Sequence, residues 1–362
     1  MKMLLLGDVS PTVVTAPLFN NKDVAALFSN TLPMFKDKDF VFANLECAIT
    51  ESDYKITKYG PHLKAPYETV EVLKQIGINC VGLSNNHIFD YGKQGISDTL
   101  KALENNGISY TGFGDNYEKS RKNYIFEKNG EKIALIAVCE HEYSYALENR
   151  MGSRPYDEYD TIEDIRKAKE ECDRVIVFYH GGKEFCQYPS PRLHKVCHAM
   201  IRNGADVVLC QHSHCIGCYE NYEGGHILYG QGNFHFVKPH SYKGWYTSLA
   251  VNYDTQNNKI EFAPLENTET GIKIPERVQK EKILSEFNER NKTLLNGEWK
   301  NGWKEFCISV KDRYIEAVSN AFTESSGELE NGLFSHYLDC EAHTDVWREL
   351  CPSFHLTNRI GD

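Results

Sequence analysis

Six apolar runs in this chain each end in residues able to bind cations or move protons. Leu4-Leu5-Leu6 leads into Gly7-Asp8, and Phe40-Val41-Phe42-Ala43 into Asn44-Leu45-Glu46. Cys80-Val81-Gly82-Leu83 is followed by Ser84-Asn85-Asn86-His87, and the run 175–179 by His180-Gly181-Gly182. The run 207–210 leads to Gln211-His212-Ser213-His214, and Ile227-Leu228-Tyr229-Gly230 to Gly232-Asn233. Oxygen and imidazole donors of this kind suit Mn²⁺, Fe²⁺ or Zn²⁺ better than Ca²⁺. Asp8, Asn44 and Glu46, Asn86 and His87, His180, His212 and His214, and Asn233 are thus all expected on one rim as candidate ligands. His212-x-His214 puts both imidazoles on one side of an extended segment.

Other residues extend the pattern. Asp90, three residues past His87, is placed to orient that imidazole. His62 and Lys64, in Gly60-Pro61-His62-Leu63-Lys64, are expected at the mouth as anion binders. Lys183, Glu184 and Asn233 are expected against the substrate. Each piece has a bland reading: a strand-terminal Asp is often a helix cap, and a lone His is often a satisfied core residue. The repeated placement after successive strands argues against coincidence. A rival arrangement comes from Cys215-Ile-Gly-Cys218 beside Cys210 and the two histidines, which would make a closed structural zinc site.

The elements that must position these residues alternate. Strands are expected at 3–6, 40–43, 79–83, 133–138, 174–179, 206–210 and 226–229, with a late hairpin from 247–253 and 259–263. Helices are expected at 68–76, 94–106, 161–172 with Thr161 opening a capping box, and 191–203 with Ser190 as N-cap and Pro191 at the first helical position. Such alternation predicts an α/β domain, whose ligands bind beyond the carboxyl ends of the strands. After about residue 270 the pattern turns helical, at 278–291, 303–322 and 329–350. The expected division is an α/β domain over 1–270 and an α-helical extension over 271–362.

Composition bounds the function. The formal net charge of -11 argues against a nucleic-acid binder that works by covering phosphates. With 41% hydrophobic residues a sizeable core can form. No run of about 18 apolar residues occurs, so no membrane span is expected. The first apolar run is too short for an export signal. The 12 scattered cysteines then read as reduced, mostly buried thiols of a cytoplasmic protein.

At these residues the sequence resembles the CapA family of poly-γ-glutamate capsule synthesis proteins, a branch of the calcineurin-like metallophosphoesterases. The resemblance is carried by Gly7-Asp8-Val9, Asn44-Leu45-Glu46, the Asn85-Asn86-His87-Ile88-Phe89-Asp90-Tyr91-Gly92 run, His180-Gly181-Gly182-Lys183-Glu184, His212-Ser213-His214 and Gly232-Asn233-Phe234. It covers residues 1 to about 240. It implies a sandwich of two mixed β-sheets flanked by helices, and two divalent ions. Asp8 and His214 would bind the first, and Asn86, His180 and His212 the second. Glu46, with Asn44, would stand at the bridging position, and His87 would be the catalytic imidazole. The superfamily's Asp-x-His is Asp8-Val9-Ser10 here, so the first position lacks an imidazole.

The expected function is therefore metal-dependent hydrolysis of a phosphoester or a related polarised centre such as an amide, on an anionic or amide-containing small molecule or polymer. The alternative is a non-catalytic accessory protein of polyglutamate, polyanion or amide-forming biosynthesis. The oligomeric state is left open, a homo-oligomer included.

Overall fold

The computed structural model describes residues 1–351; residues 352–362, the end of the expected extension, lie outside the described residues. In chain order the main strands are β1 (Lys2–Val9), β2 (Phe40–Leu45), β3 (Cys80–Gly82), β4 (Ser109–Thr111), β5 (Tyr124–Lys128), β6 (Glu131–Cys139) and β7 (Arg174–His180). They continue with β8 (Val207–Gln211), β9 (Tyr219–Tyr222), β10 (Gly225–Leu228), β11 (Asn233–His235), β12 (Thr247–Asp254), β13 (Lys259–Asn267) and β14 (Ile272–Lys273). One mixed sheet has the order β14-β13-β12-β1-β2-β3-β4, with β11 alongside the end of β1. The other runs β9-β10-β8-β7-β6-β5.

The two sheets pack face to face. Leu5, Phe42, Leu249 and Val251 of the first meet Leu135, Ile176, Phe178 and Leu209 of the second. At the centre the rings of Phe42 and Phe178 stack with centroids 3.6 Å apart. The outer faces are covered as well. Leu4, Leu6, Val41 and Ala43 pack under helices α1 (Glu68–Gln75) and α2 (Gly92–Asn105). Ala134, Ile136, Val175 and Val177 pack under α3 (Glu158–Glu171) and α4 (Pro191–Arg202). Neighbouring residues of one strand thus enter opposite cores, which is why these strands read as unbroken apolar runs rather than as alternation.

All the strands expected from the sequence form, and short partners join them at 109–111, 124–128, 219–222, 233–235 and 272–273. The helix expected from Thr161 starts earlier. Asp157 caps it, its carboxylate accepting from the amides of Tyr159 and Asp160, and Thr161 is buried inside. Ser190 caps α4 as expected, accepting from the Leu193 amide.

The helices α5 (Arg277–Leu295), α6 (Trp299–Asn320), α7 (Glu328–Asp339) and α8 (Glu341–Leu350) follow β14. They share cores with the α/β body. Ile283 and Phe287 enter the inter-sheet core, and Leu294 and Trp299 pack with the α3–α4 layer. Trp303, Cys307, Tyr314, Tyr337 and Val346 make a further cluster that takes in Cys186. The single helix expected over 329–350 is broken at Cys340, whose backbone is extended. Eleven cysteines are buried, Cys351 is exposed, and all twelve are free. Among the described residues no helix is long and apolar enough to cross a membrane.

Candidate metal centre

The acidic and imidazole residues converge where the carboxyl ends of both sheets meet. β1 and β2 run parallel with Asp8 opposite Asn44, after an irregularity between Leu5 and Asp8. On its other side Asp8 is in register with Asn233 of β11. Gly7 makes this approach possible, since a Cβ there would lie 2.1 Å from the Gly232 carbonyl oxygen. His180 ends β7 in the opposite sheet, in register with Gln211 of β8. The turn after β8 then delivers His212 and His214.

That turn differs from the extended segment expected. His212 and His214 both have positive φ, 77° and 52°. The left-handed backbone, not strand alternation, turns the imidazoles inward, with ring centroids 5.8 Å apart. Left-handed conformations are uncommon for such residues, and they gather at functional sites.

The cluster is buried and densely charged. Asp8, Glu46, Asn86, His180, His212 and His214 are all buried. His180 Nε2 lies 3.4 Å from Glu46 Oε1 and 3.1 Å from Asn86 Oδ1. His214 lies 3.8 Å from Asp8 and 4.0 Å from Glu46. Glu46, His212 and His214 each offer a donor atom within 4.8 Å of the others. Both carboxylate oxygens of Glu46 and Nδ1 of His212 are buried with no hydrogen-bond partner. Such groups are costly to leave unsatisfied.

The electrostatics point the same way. Burial, then the neighbouring Glu46, pushes the Asp8 carboxyl up to about 7. Burial raises Glu46 too, and burial lowers His180 to about 3. Burial opposes charge on His212, but Glu142 outweighs it and lifts that imidazole to about 10. Two buried carboxyls that resist ionising, beside the unprotonated imidazole of His180, are what a divalent cation would relieve, and at His212 such a cation would take the place of the proton that Glu142 holds there.

Asn44 is turned away from the role expected for it. Its amide nitrogen donates to Asp8 Oδ1 at 2.7 Å and its oxygen accepts from Asn85 at 3.2 Å. It orients Asp8 and offers the cluster no free oxygen. Asn233 stands behind His214, its oxygen 2.8 Å from Nδ1, and so positions a ring rather than meeting substrate.

His87 and Asp90 pair as expected. His87 Nδ1 is 2.7 Å from Asp90 Oδ2, and the Leu63 amide donates to the same carboxylate oxygen at 2.8 Å. A third member, buried Lys58, is ion-paired with Asp90 and lies 3.1 Å from His87 Nδ1. Burial first, then Lys58, lowers His87 to about 4. His87 opens onto a cavity of about 230 Å³ that Lys58, Asn86, Glu142, Glu184 and His214 also line.

His62 and Lys64 do not line that cavity. His62 Nε2 bonds the Ile56 carbonyl at 2.7 Å, and Lys64 donates to the Ser52 carbonyl at 2.9 Å. They brace the loop instead. Glu184 does line the cavity, with Lys183 3.4 Å behind it. The free cations there are Lys238, set over Phe236 and Trp245, and Arg313 of α6; neither has a carboxylate within salt-bridge distance among the described residues. Cys215 and Cys218 are hydrogen-bonded to the carbonyls of Cys186 and Gln187, both at 3.4 Å, and among the described residues enter no metal-spaced cluster. The thiol-zinc arrangement is not formed.

The sequence reading missed Glu142. It follows β6, accepts from Asn86 at 2.9 Å and lies 3.3 Å from His212 Nε2. It also missed the helical wall: Arg313, His336, Tyr337 and His343 close the cavity from the C-terminal side.

Residues 2–238 match the family model described as bacterial capsule synthesis protein PGA_cap. The chain belongs to the PGA_cap family. The match takes in every residue of the cluster and stops before Arg313, His336 and His343. Among PGA_cap relatives, the capsule biosynthesis protein CapA of Bacillus anthracis is 30% identical over 271 residues, covering 71% of this chain and 64% of that one. The PGA biosynthesis protein CapA of Bacillus subtilis is 29% identical over 321 residues, covering 85% of this chain and 82% of the relative. A probable polyglutamine synthesis accessory protein of Mycobacterium tuberculosis is 28% identical over 212 residues, 54% of this chain and 55% of its own. A hypothetical protein from Thermus thermophilus superposes with TM-score 0.45 at 15% identity, over 74% of this chain and all of that one. A 5′-nucleotidase from Candida albicans superposes with TM-score 0.41 at 9% identity, over 86% of this chain and 58% of that one.

Proposed function

We propose that this chain is a metal-dependent hydrolase acting on a phosphoester or an amide of an anionic small molecule or polymer. The observation that carries the reading is the pair of buried, unpartnered Glu46 oxygens facing buried imidazoles, with His212 Nδ1 also unpartnered. Asp8, Glu46, Asn86, His180, His212 and His214 would hold the metal, two ions of the Mn, Fe or Zn kind. Bound there, such ions supply Lewis acidity and acidify water.

The chain's own residues do the rest. Asn44 and Asn233 fix Asp8 and His214, so the donor set needs little rearrangement. Lys58 and Asp90 both bear on Nδ1 of His87, which leaves Nε2 to move one proton or to stabilise a developing anion. Lys238 and Arg313 attract the charged part of the substrate. Twelve free cysteines fit a reducing compartment, and we place the protein in the cytoplasm.

The test is reconstitution. Metal-depleted protein given Mn²⁺ or Zn²⁺ should hydrolyse bis(4-nitrophenyl) phosphate or a glutamyl amide, and His87→Ala should not. The second reading, an accessory role in polyglutamate biosynthesis, is favoured by Ser10 at the position where the resemblance implies an imidazole. A folded, metal-loaded protein with no turnover on either substrate would select it.

A further inference from the structure

The break between α7 and α8 places a second set of donors beside the first. Cys340 sits at the junction, and His343 one turn into α8. Both face Glu142, which comes from the α/β body. Glu142, Cys340 and His343 each offer a ligand atom within 4.8 Å of the other two, and all three are buried.

The spacing fits one ion. Sulfur at about 2.3 Å and oxygen at about 2.0 Å from a tetrahedral zinc lie about 3.5 Å apart. Cys340 Sγ is 3.5 Å from Glu142 Oε1. The second nitrogen of His343 is already tied, since the Tyr314 hydroxyl lies 2.6 Å from Nδ1, leaving Nε2 to ligate. Glu142 and His343 both line the cavity, so a fourth position would open into it. Glu142 is shared with the principal centre, since Oε2 accepts from Asn86 at 2.9 Å and Oε1 lies 3.3 Å from His212 Nε2, so an ion here would draw Oε1 from His212 toward Cys340 and His343.

We propose that Glu142, Cys340 and His343 form a separate site for one zinc-class divalent ion, which ties the C-terminal helices to the α/β body at the cavity wall. Its ligands are a thiolate, an imidazole and a carboxylate, a set that selects zinc or cobalt over magnesium or calcium. Two of them lie outside the region matched by the PGA_cap model. Binding deprotonates the Cys340 thiol, and the proton leaves to solvent.

Cobalt reports on this site without any assay of activity. The full chain, stripped of metal and titrated with Co²⁺, should develop a near-ultraviolet thiolate-to-cobalt band. Cys340→Ser should abolish the band and bind one ion fewer per chain, His343→Ala should weaken it, and Cys218→Ser should leave it intact. His180→Ala, which disturbs the principal centre, should keep it, so failure of the hydrolase reading and failure of this one are told apart. No band in the unmodified protein overturns the proposal, and that result needs no variant to fold. A band that survives Cys340→Ser in a folded protein overturns it equally.

Discussion

His87→Ala tests the His87–Asp90–Lys58 arrangement on two scales. With burial and Lys58 holding it at about 4, against 6.5 unperturbed, His87 is neutral through the usual assay range. Removing a positioned proton-transfer group should cost about 10²–10⁴ in rate, or about 3–5 kcal/mol of barrier, with metal content unchanged. The same depression is a statement about stability. The unfolded chain binds a proton at His87 between pH 6.5 and 4, and the folded chain does not. This term is therefore neutral above about pH 6.5, and it destabilises the fold progressively as pH falls toward 4, by up to about 3 kcal/mol. His87→Ala removes it. Urea unfolding at pH 7.5 and at pH 5 should show the gap between wild type and variant shifting in the variant's favour at the lower pH. Direct titration of the His87 ring by NMR is the decisive assay: a pKa at or above 6.5, or metal lost along with activity, would refute the reasoning.

Three further outcomes follow from the same geometry. The position beside Ser10 has fewer strong donors than the one built from Asn86, His180 and His212, so one ion should survive purification while the other exchanges, and Ser10→His should tighten the weaker one; calorimetric titration showing two equally tight ions contradicts this. Arg313→Ala should raise KM for an anionic substrate several-fold, about 1 kcal/mol, with kcat and metal content held, because its charge faces the cavity with no carboxylate partner among the described residues. Phe42→Ala should cost about 3–5 kcal/mol in chemical denaturation, since the ring is fully buried and stacked on Phe178 between the sheets.

Much of this molecule was legible because burial on both faces writes strands as continuous apolar runs, and because each strand's carboxyl end reaches one rim. The same rule, applied to the run ending at Cys139, would have found Glu142 three residues on. Glu140 and His141 stand between the end of that run and Glu142, so the residue directly after the strand does not single Glu142 out. Lys58 carried no signal: its importance comes from burial against Asp90, which only the folded loop creates. His62 and Lys64 misled for the same reason, their loop turning them outward to carbonyls. The convergence of His212 and His214 was foreseen for the wrong reason, since spacing does not reveal two left-handed residues. The break at Cys340 was hidden because helical periodicity continues across it, and with it went the wall that closes the cavity.

The central claim is that Asp8, Glu46, Asn86, His180, His212 and His214 hold divalent metal. Anomalous diffraction from crystals of the full chain soaked in Mn²⁺ measures it directly. The account predicts one strong peak and one weaker peak among these residues, with both lost or displaced in His212→Ala. A clean map there, with Glu46 hydrogen-bonded to water alone, would contradict it.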